Sequence, residues 1–307
     1  MELALPESII EWLTVTLGAR PIEQLFATVH VSSVVGVRLS DGRSAVVKMR
    51  HEDVRRARTC LAVQLHLAES GFPCPRPLTD VTAIDNKVVH AEEWRPGGEV
   101  LRGHGPDVAE AFAGLLADLV GRTATVRFVP PLPNPLWVRW DHNGNGLWPV
   151  YDWRDMKAGE AAVPSHVIEV AQRVRNRLRN LRLPQVIGHA DWETQNLRWK
   201  GSKAHAVHDW DSLAWLPEAA LAGTASGAFA SAEQPTLVPI DSSETFLQTY
   251  EQARGKRFTA EERQVAWAAS LWLPAHNARL EALYGKVPLA TEALARQAAE
   301  RLALAGA

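Results

Sequence analysis

The sequence predicts an α+β protein of two lobes, a small β-rich N-terminal lobe with one main helix and a larger, mainly helical C-terminal lobe. Three observations carry this. Residues 26–50 hold two β-branched runs separated by Asp41-Gly42, a hairpin signal. Arg95-Pro96-Gly97-Gly98 then interrupts all periodicity, as a linker does. Beyond it, apolar residues recur at helical spacing over most of the chain. The lobes are therefore 1–95 and 96–307.

Residues 6–18, PESIIEWLTVTLG, read as a short leading helix closed by glycine. FATVHVSSVVGVRL and the run after Ser40-Asp41-Gly42 are strands, with Lys48 near the end of the second. Residues 53–70 place Val54, Ala57, Leu61, Leu65 and Ala68 on one helical stripe; Gly71 ends the helix, and FPCPRP forces an extended turn. VTAIDNKVVHAEEW is a hairpin turning at Asp85-Asn86. In the second lobe, 106–124, 164–181, 243–254, 259–276 and 288–305 are helices. A Pro-, Gly- and Trp-rich stretch between the first two is too irregular for a regular element. The apolar residues 212–230 are interrupted by Pro217 and Glu218.

Composition narrows the function. Of 307 residues 46% are hydrophobic and 22% charged, enough for a sizeable core and against disorder. The formal net charge is −2 and no basic block stands out, so a nucleic-acid partner has no electrostatic support. MELALPESIIEW lacks the basic region and unbroken apolar run of a signal peptide, and no stretch approaches the ~20 residues that span a bilayer. The expectation is a soluble cytoplasmic protein, monomer or homodimer, with Cys60 and Cys74 reduced.

The chemistry concentrates in IGHADWETQNLRWKGSKAHAVHDWDSL. It contains His189-x-Asp191-x4-Asn196, followed by Asp209 within His208-Asp209-Trp210-Asp211. Phosphoryl transfer needs a carboxylate to take the proton of the attacking hydroxyl and oxygen ligands to hold Mg2+ among the phosphates. Asp191 suits the base, and Asn196 with Asp209 suits the hard cation, which keeps several waters and phosphate oxygens of its own. NLRW and AVHDW, joined by Lys200-Gly201-Ser202-Lys203, read as a hairpin that carries Asp209 at its exit. Lys48, at the end of Ala45-Val46-Val47, suits a phosphate contact from a β-strand.

With these features the chain resembles the aminoglycoside phosphotransferase family, the small-molecule branch of the protein-kinase-like fold. The likeness rests on Val46-Val47-Lys48, on Gly71-Phe72-Pro73-Cys74-Pro75-Arg76-Pro77-Leu78, and on Glu92-Glu93-Trp94-Arg95-Pro96-Gly97. It continues through His189-Ala190-Asp191 with Asn196, Asp209-Trp210-Asp211, and Tyr250-Glu251-Gln252-Ala253-Arg254-Gly255. It implies a kinase that phosphorylates a small-molecule hydroxyl from ATP or GTP. Asp191 would be the base, Asn196 and Asp209 the magnesium ligands, and Lys48 the phosphate contact. The backbone of Glu93, Trp94 and Arg95 would hold adenine. No Ala-Pro-Glu segment follows Asp209, which argues against a protein substrate.

Several positions depart from the family pattern. Ala190 stands where relatives have glycine, tolerable where the backbone needs no positive φ. Trp192 either packs in the core or borders the acceptor. The helix after Lys48 lacks its glutamate: Cys60 or Gln64 occupies that face, with Glu52 too early and Glu69 too late. An amide, another carboxylate or the nucleotide itself is left to hold the lysine. The loop His30-Val31-Ser32-Ser33-Val34 has no glycine; Ser32 and Ser33 offer N–H and hydroxyl groups to phosphate, or are plain turn residues. Trp137, Trp140, Trp148 and Trp153 form either a platform for a sugar or planar ring, with Asp141, His142 and Asp152, or pins for the irregular insert. Trp267 and Trp272 belong to the core. The acids after residue 215 are mixed with arginines, so a polycationic aminoglycoside is not favoured by charge. An antibiotic or related glycosylated compound remains the leading acceptor, with a sugar or amino alcohol as the alternative and a catalytically silent nucleotide-binding regulator as the third reading.

Overall fold

The computed structural model describes residues 5–29, 32–127, 129, 133–150, 157–179, 181–232 and 236–307. It divides into two compact units. One is Met1–Gly98 with Val126–Pro130 and His205–Asp211; the other is Glu99–Thr125 with Pro131–Ala204 and Ser212–Ala307.

The first unit begins with α1 (Glu7–Leu17), which ends on Gly18 at φ +71. Strands β1 (Pro21–Val29), β2 (Ser33–Leu39), β3 (Ser44–Arg50), β4 (Thr82–Ile84) and β5 (Lys87–Glu93) form one antiparallel sheet in the order β1-β2-β3-β5-β4. Alternation along the strands sorts their side chains between two faces. Val35, Val37, Val47, Met49, Val89 and Ala91 form one core with Ile9, Ile10 and Leu13 of α1. The residues in between, including Lys48, Arg50, Val88, His90 and Glu92, point the other way, where Val88 packs with Ala57 and Leu61 of α2 (Val54–Glu69). Asp53 caps α2 by accepting from the N–H groups of Arg55 and Arg56 at 2.7 and 3.3 Å. Asp85 and Asn86 at φ 49 and 61 make the tight β4–β5 turn that the sequence predicted.

The second unit contains α3 (Pro106–Thr123), α4 (Ser165–Leu178), β6 (Gln185–His189) and β7 (Leu197–Lys200). After Gly201 the chain continues as β8 (Lys203–Val207) into the first unit's residues and returns as β9 (Leu213–Pro217). Helices α5 (Glu218–Ala228), α6 (Ile240–Arg254), α7 (Ala260–Tyr284) and α8 (Leu289–Ala305) complete the chain.

Two elements differ from expectation. Residues 212–230 are a strand and then a helix, because Pro217 ends β9 and serves as the N-cap of α5, where its missing N–H costs nothing. Helix α7 runs two turns past His276, straight through Pro274. That proline cannot bond the Ser270 carbonyl, but α5 lies directly against it: a Cβ on Gly227 would come within 2.5 Å of that oxygen, and one on Gly223 within 2.0 Å of the Ala266 oxygen. Two glycines four residues apart thus let α5 and α7 touch backbone to backbone. No described helix is long and apolar enough to cross a membrane.

Candidate active site

The proposed base lies in the loop that follows β6. Strand β6 pairs antiparallel with β9, His189 opposite Leu213, and the Ala190 N–H extends the pairing to the Ser212 carbonyl at 2.8 Å. Ala190 is not among the positive-φ residues, so its methyl group is accommodated. His189 is 1% exposed; its Nδ1 accepts from the Asp191 N–H at 3.3 Å, which leaves the ring proton on Nε2. Thr194 then anchors the loop through its N–H and hydroxyl, both to the Phe229 carbonyl at 2.9 Å. A single helical turn, Thr194–Asn196, brings Asn196 back to Asp191, where Nδ2 donates to the carboxylate Oδ2 at 2.7 Å and to the backbone carbonyl at 2.9 Å. Both amide hydrogens are thereby spent on Asp191. That leaves the amide oxygen Oδ1 as the hard donor a magnesium ion would take. Trp192 is core: it is 2% exposed and its indole N–H donates to the Phe112 carbonyl at 3.1 Å.

Glu193, a departure from the family pattern after Asp191, was given no role by the sequence. It is buried beside Asp191 and accepts from Gln195 Nε2 at 3.0 Å. Burial, with the Asp191 charge added, pushes its carboxyl well above the ordinary range.

The first unit holds Lys48 with its partner identified. Lys48 Nζ is 3.0 Å from Glu92 Oε1 on β5, with side chains 10% and 2% exposed. Glu92 Oε2 accepts from Gln64 Nε2 of α2 at 2.8 Å, and the same amide nitrogen also donates to the Pro75 carbonyl at 2.9 Å. Gln64 therefore stands on the face where a helix glutamate was expected, and a strand glutamate holds the lysine. Glu52 and Glu69 serve Arg50 and Arg76 instead, at 2.7 and 2.9 Å. Strand alternation was the signal that could have found Glu92, since it falls two places beyond the residue opposite Lys48. Burial pushes the Lys48 amine down, but Glu92, Asp209 and Asp211 outweigh it and hold the amine above its ordinary value. A small cavity is lined here by Lys48, Arg50, Cys60, Gln64, His90 and Asp211. Burial, then Lys48 and Arg50, push His90 down to about 3, so it is neutral, and burial pushes the Cys60 thiol up to about 12. Cys60 and Cys74 are both free thiols.

Residues 205–211 belong to the same unit. Arg50 Nε lies 3.6 Å from Asp211 Oδ2, Arg56 Nη2 donates to the Asp211 carbonyl at 2.8 Å, and Glu52 bridges the two arginines at 2.7 and 3.1 Å. Burial would raise the Asp211 carboxyl, but Arg50, a side-chain contact with Asp209 and Lys48 carry it well below the usual range. Trp210 is 2% exposed, set edge-on to Phe72 at 5.9 Å. Immediately before these two anchors Asp209 adopts φ +65, a left-handed backbone that costs free energy in a non-glycine residue and recurs at functional loops. Its carboxylate beside Asp211 is a hard-oxygen donor of the kind Mg2+ takes, as is the Asn196 amide oxygen in the other unit.

Of the nucleotide calls, Ser33 opens β2, opposite Val29 and Met49, while Ser32 precedes it in a bend. The expected loop is therefore shorter than residues 30–34; His30 and Val31 lie outside the described residues. Glu93 pairs by backbone with Arg76 at 2.8 Å, Arg95 Nη1 donates to the Cys74 carbonyl at 2.8 Å, and Trp94 between them is partly exposed. In the second unit Trp140 and Trp148 are buried pins rather than an open platform, packed on Trp272 at 6.4 and 5.2 Å between ring centres. Large rings bury there because each removes much apolar surface from water. Arg175 of α4 secures the same insert through the carbonyls of Trp140, His142 and Gly146 at 2.9, 2.9 and 3.1 Å. Trp137 is partly exposed; Trp153 and Asp152 lie outside the described residues.

The acids after residue 215 are largely committed. Glu218 accepts from Arg254 at 2.7 Å and Tyr250 at 3.0 Å, and Glu244 from Arg263 at 2.6 Å. Glu251 accepts from the Phe258 N–H at 2.6 Å, and Glu262 from the Thr259 N–H at 2.8 Å.

The model of the APH phosphotransferase enzyme family matches residues 28–267. Among solved structures, the amicoumacin kinase hAmiN, in complex with AMP-PNP, Ca2+ and Ami, superposes with a TM-score of 0.69 at 12% identity, over 96% of this chain and 92% of that one. An aminoglycoside phosphotransferase from Alicyclobacillus acidocaldarius gives 0.56 at 14% identity, over 100% and 96%. A protein assigned as a fructosamine-3-kinase from Thermobifida fusca gives 0.56 at 17% identity, over 97% and 100%. At such identities the likeness is one of fold, and it is the α+β, protein-kinase-like fold that the sequence led us to expect. No curated protein matches at a significant level.

Proposed function

We propose that this chain, which belongs to the APH phosphotransferase enzyme family and is a small-molecule phosphotransferase, moves the γ-phosphate of ATP or GTP to a hydroxyl of a small acceptor, with Asp191 as base. The observation that carries the reading is the Asp191–Asn196 contact at 2.7 Å on a loop pinned at both ends. An anchored carboxylate of this kind can take the acceptor proton without reorganising during transfer. Asn196 and Asp209 would hold Mg2+, whose charge offsets that of the phosphate oxygens. Lys48 contacts the phosphates, the Glu93–Arg95 backbone and Ser32–Ser33 serve the nucleotide, and residues 96–307 supply base and acceptor site.

For the acceptor, the committed acids weigh against a polycation. An aminoglycoside needs several carboxylates, and Glu218, Glu244, Glu251 and Glu262 are already bonded within the protein. We favour a less cationic antibiotic or related glycosylated compound. A sugar or amino alcohol is the second reading, supported by the same observation and by the likeness to the protein assigned as a fructosamine-3-kinase.

A coupled ATP- and GTP-consumption screen over aminoglycosides, macrolides, peptide and nucleoside antibiotics, sugars and amino alcohols tests the function. Turnover confined to aminoglycosides would overturn the charge argument. On the active acceptor, Asp191→Ala should abolish transfer while MgATP binding survives, and Asp209→Ala should lose the metal-dependent part of that binding. Full turnover in Asp191→Ala would remove it as the base.

A further inference from the structure

Where the carboxylate that holds Lys48 resides decides what can disturb it. Strands β3 and β5 are antiparallel, with Lys48 opposite His90 and Val46 opposite Glu92. Lys48 and Glu92 are thus diagonal neighbours on one face of the sheet, a spacing that long side chains bridge. Their separation is set by the sheet's own hydrogen-bonded register. Helix α2 contributes no charge to the pair. Its Gln64 donates to Glu92 Oε2 at 2.8 Å and to the Pro75 carbonyl at 2.9 Å, which fixes the carboxylate's rotamer and satisfies its second oxygen.

An ion pair this deeply buried is a poor device for stability alone, because desolvation offsets most of the attraction and apolar residues would serve as well. The lysine also lines the small cavity of the first unit, together with Arg50, His90 and Asp211. It carries three donors, and among the described residues only Glu92 Oε1 takes one, which leaves two for phosphate oxygens.

We infer that Glu92 is the positioning residue of Lys48, locked by Gln64, so that strand register rather than the placement of helix α2 keeps the lysine ready for phosphate. The inference rests on the reading of Lys48 as a phosphate contact. It goes beyond that reading in one consequence: displacing α2 would loosen Gln64 but leave the ion pair intact, so this enzyme cannot be switched off by withdrawing a helix carboxylate.

The test is the preference for ATP over adenosine, measured by titration calorimetry with MgATP and with adenosine, no acceptor present. This ratio isolates what the phosphates contribute, and a merely structural lesion would weaken both ligands alike. Lys48→Met should lower the ratio about tenfold or more, the worth of a charge-assisted hydrogen bond. Glu92→Gln, which keeps the shape but removes the charge and one of the two acceptor oxygens, should lower it several-fold with adenosine binding unchanged. Glu92→Asp should lower it less, and serves if the glutamine variant folds poorly. Lys48→Met/Glu92→Gln should be no worse than Lys48→Met, because Glu92 acts through the lysine. Losses that add in the double variant, or an unchanged ratio in Glu92→Gln and Glu92→Asp while Lys48→Met loses it, would overturn the inference alone. An unchanged ratio in Lys48→Met would sink the phosphate role of Lys48, and the inference with it.

Discussion

Both units bury cations, and two of these, Lys48 and Arg301, are held in opposite ways. Lys48, in the strand-rich unit, keeps its charge among carboxylates: Glu92 in direct contact, with Asp209 and Asp211 adding to it. Arg301 of α8, in the helical unit, is fully buried among neutral acceptors, donating to Ser270 and Ser243 at 2.8 Å and to the Val238 carbonyl, with its guanidinium 5.3 Å from the Trp267 ring centre. Burial, opposed only by Glu300, brings it down to about 9. Ser243 lies on α6, Trp267 and Ser270 on α7, so Arg301 ties three helices together. The difference separates two uses of a buried charge. A cation held by neutral acceptors has a packing role. A cation with a countercharge, a lined cavity and donors to spare is suited to an anionic ligand.

Four substitutions would break or sharpen that contrast, in descending order of effect. Arg301→Met should destabilise by about 3–5 kcal/mol in denaturant titrations, because several buried acceptors lose their donor together. The ATP-to-adenosine ratio of the folded protein should stay unchanged; a loss below about 1 kcal/mol would end the three-helix role. Lys48→Met should cost about 2–3 kcal/mol by leaving Glu92 charged and unpaired, and Lys48→Met/Glu92→Gln should recover most of that stability. Failure of the second change to restore it would mean that the stability loss comes from packing.

The third concerns acid. His90 and His276, one in each unit, are both pushed to about 3 by burial, with Lys48 and Arg50 adding to the effect at His90 and Arg279 at His276. Below the ordinary value of 6.5 the unfolded chain takes up these protons and the folded chain does not. Their contribution is therefore complete above about pH 6.5 and is lost as pH falls from there toward 3. His276→Phe should flatten the fall in melting temperature between pH 7 and pH 4, equivalent to about 1–2 kcal/mol; an unchanged slope would show that His276 takes a proton in the folded state. The fourth runs the other way. Glu193 has a raised folded value, so it costs stability as pH rises above its unfolded range. Glu193→Gln should raise the melting temperature at pH 8 by about 1 kcal/mol in equivalent stability and change it little at pH 4. Equal shifts at both pH values would mean that the glutamate is ionised in the folded protein.

Much of the fold and of the site's identity was legible in local pattern. Alternation marked β2, β3 and β5, Asp41-Gly42 and Asp85-Asn86 marked the turns, and five of the C-terminal helices announced themselves by period. Asp191, Asn196 and Asp209 stood out because phosphoryl transfer asks for those residue types at close spacing, and that spacing is a property of the chain. Helix α5 was not legible. EAALAGTASGA is small and apolar on every side, buried almost throughout, and so shows no amphipathic stripe. The two further turns of α7 beyond His276 were hidden for a related reason, since the carbonyl freed by Pro274 is covered by another helix rather than by anything nearby in sequence.

The sequence by itself determined the chemistry on offer: an acid and an amide five residues apart, a second acid beyond a hairpin, a lysine at a strand end, and no charge distribution suited to nucleic acid. Only the tertiary structure decided who holds whom. It put Glu92 rather than a helix residue against Lys48, drew Arg50 and Arg56 onto Asp211, and turned Trp140 and Trp148 inward. Those choices depend on strand register and on which faces become buried, and both are set by partners far along the chain, through contacts that no local spacing records.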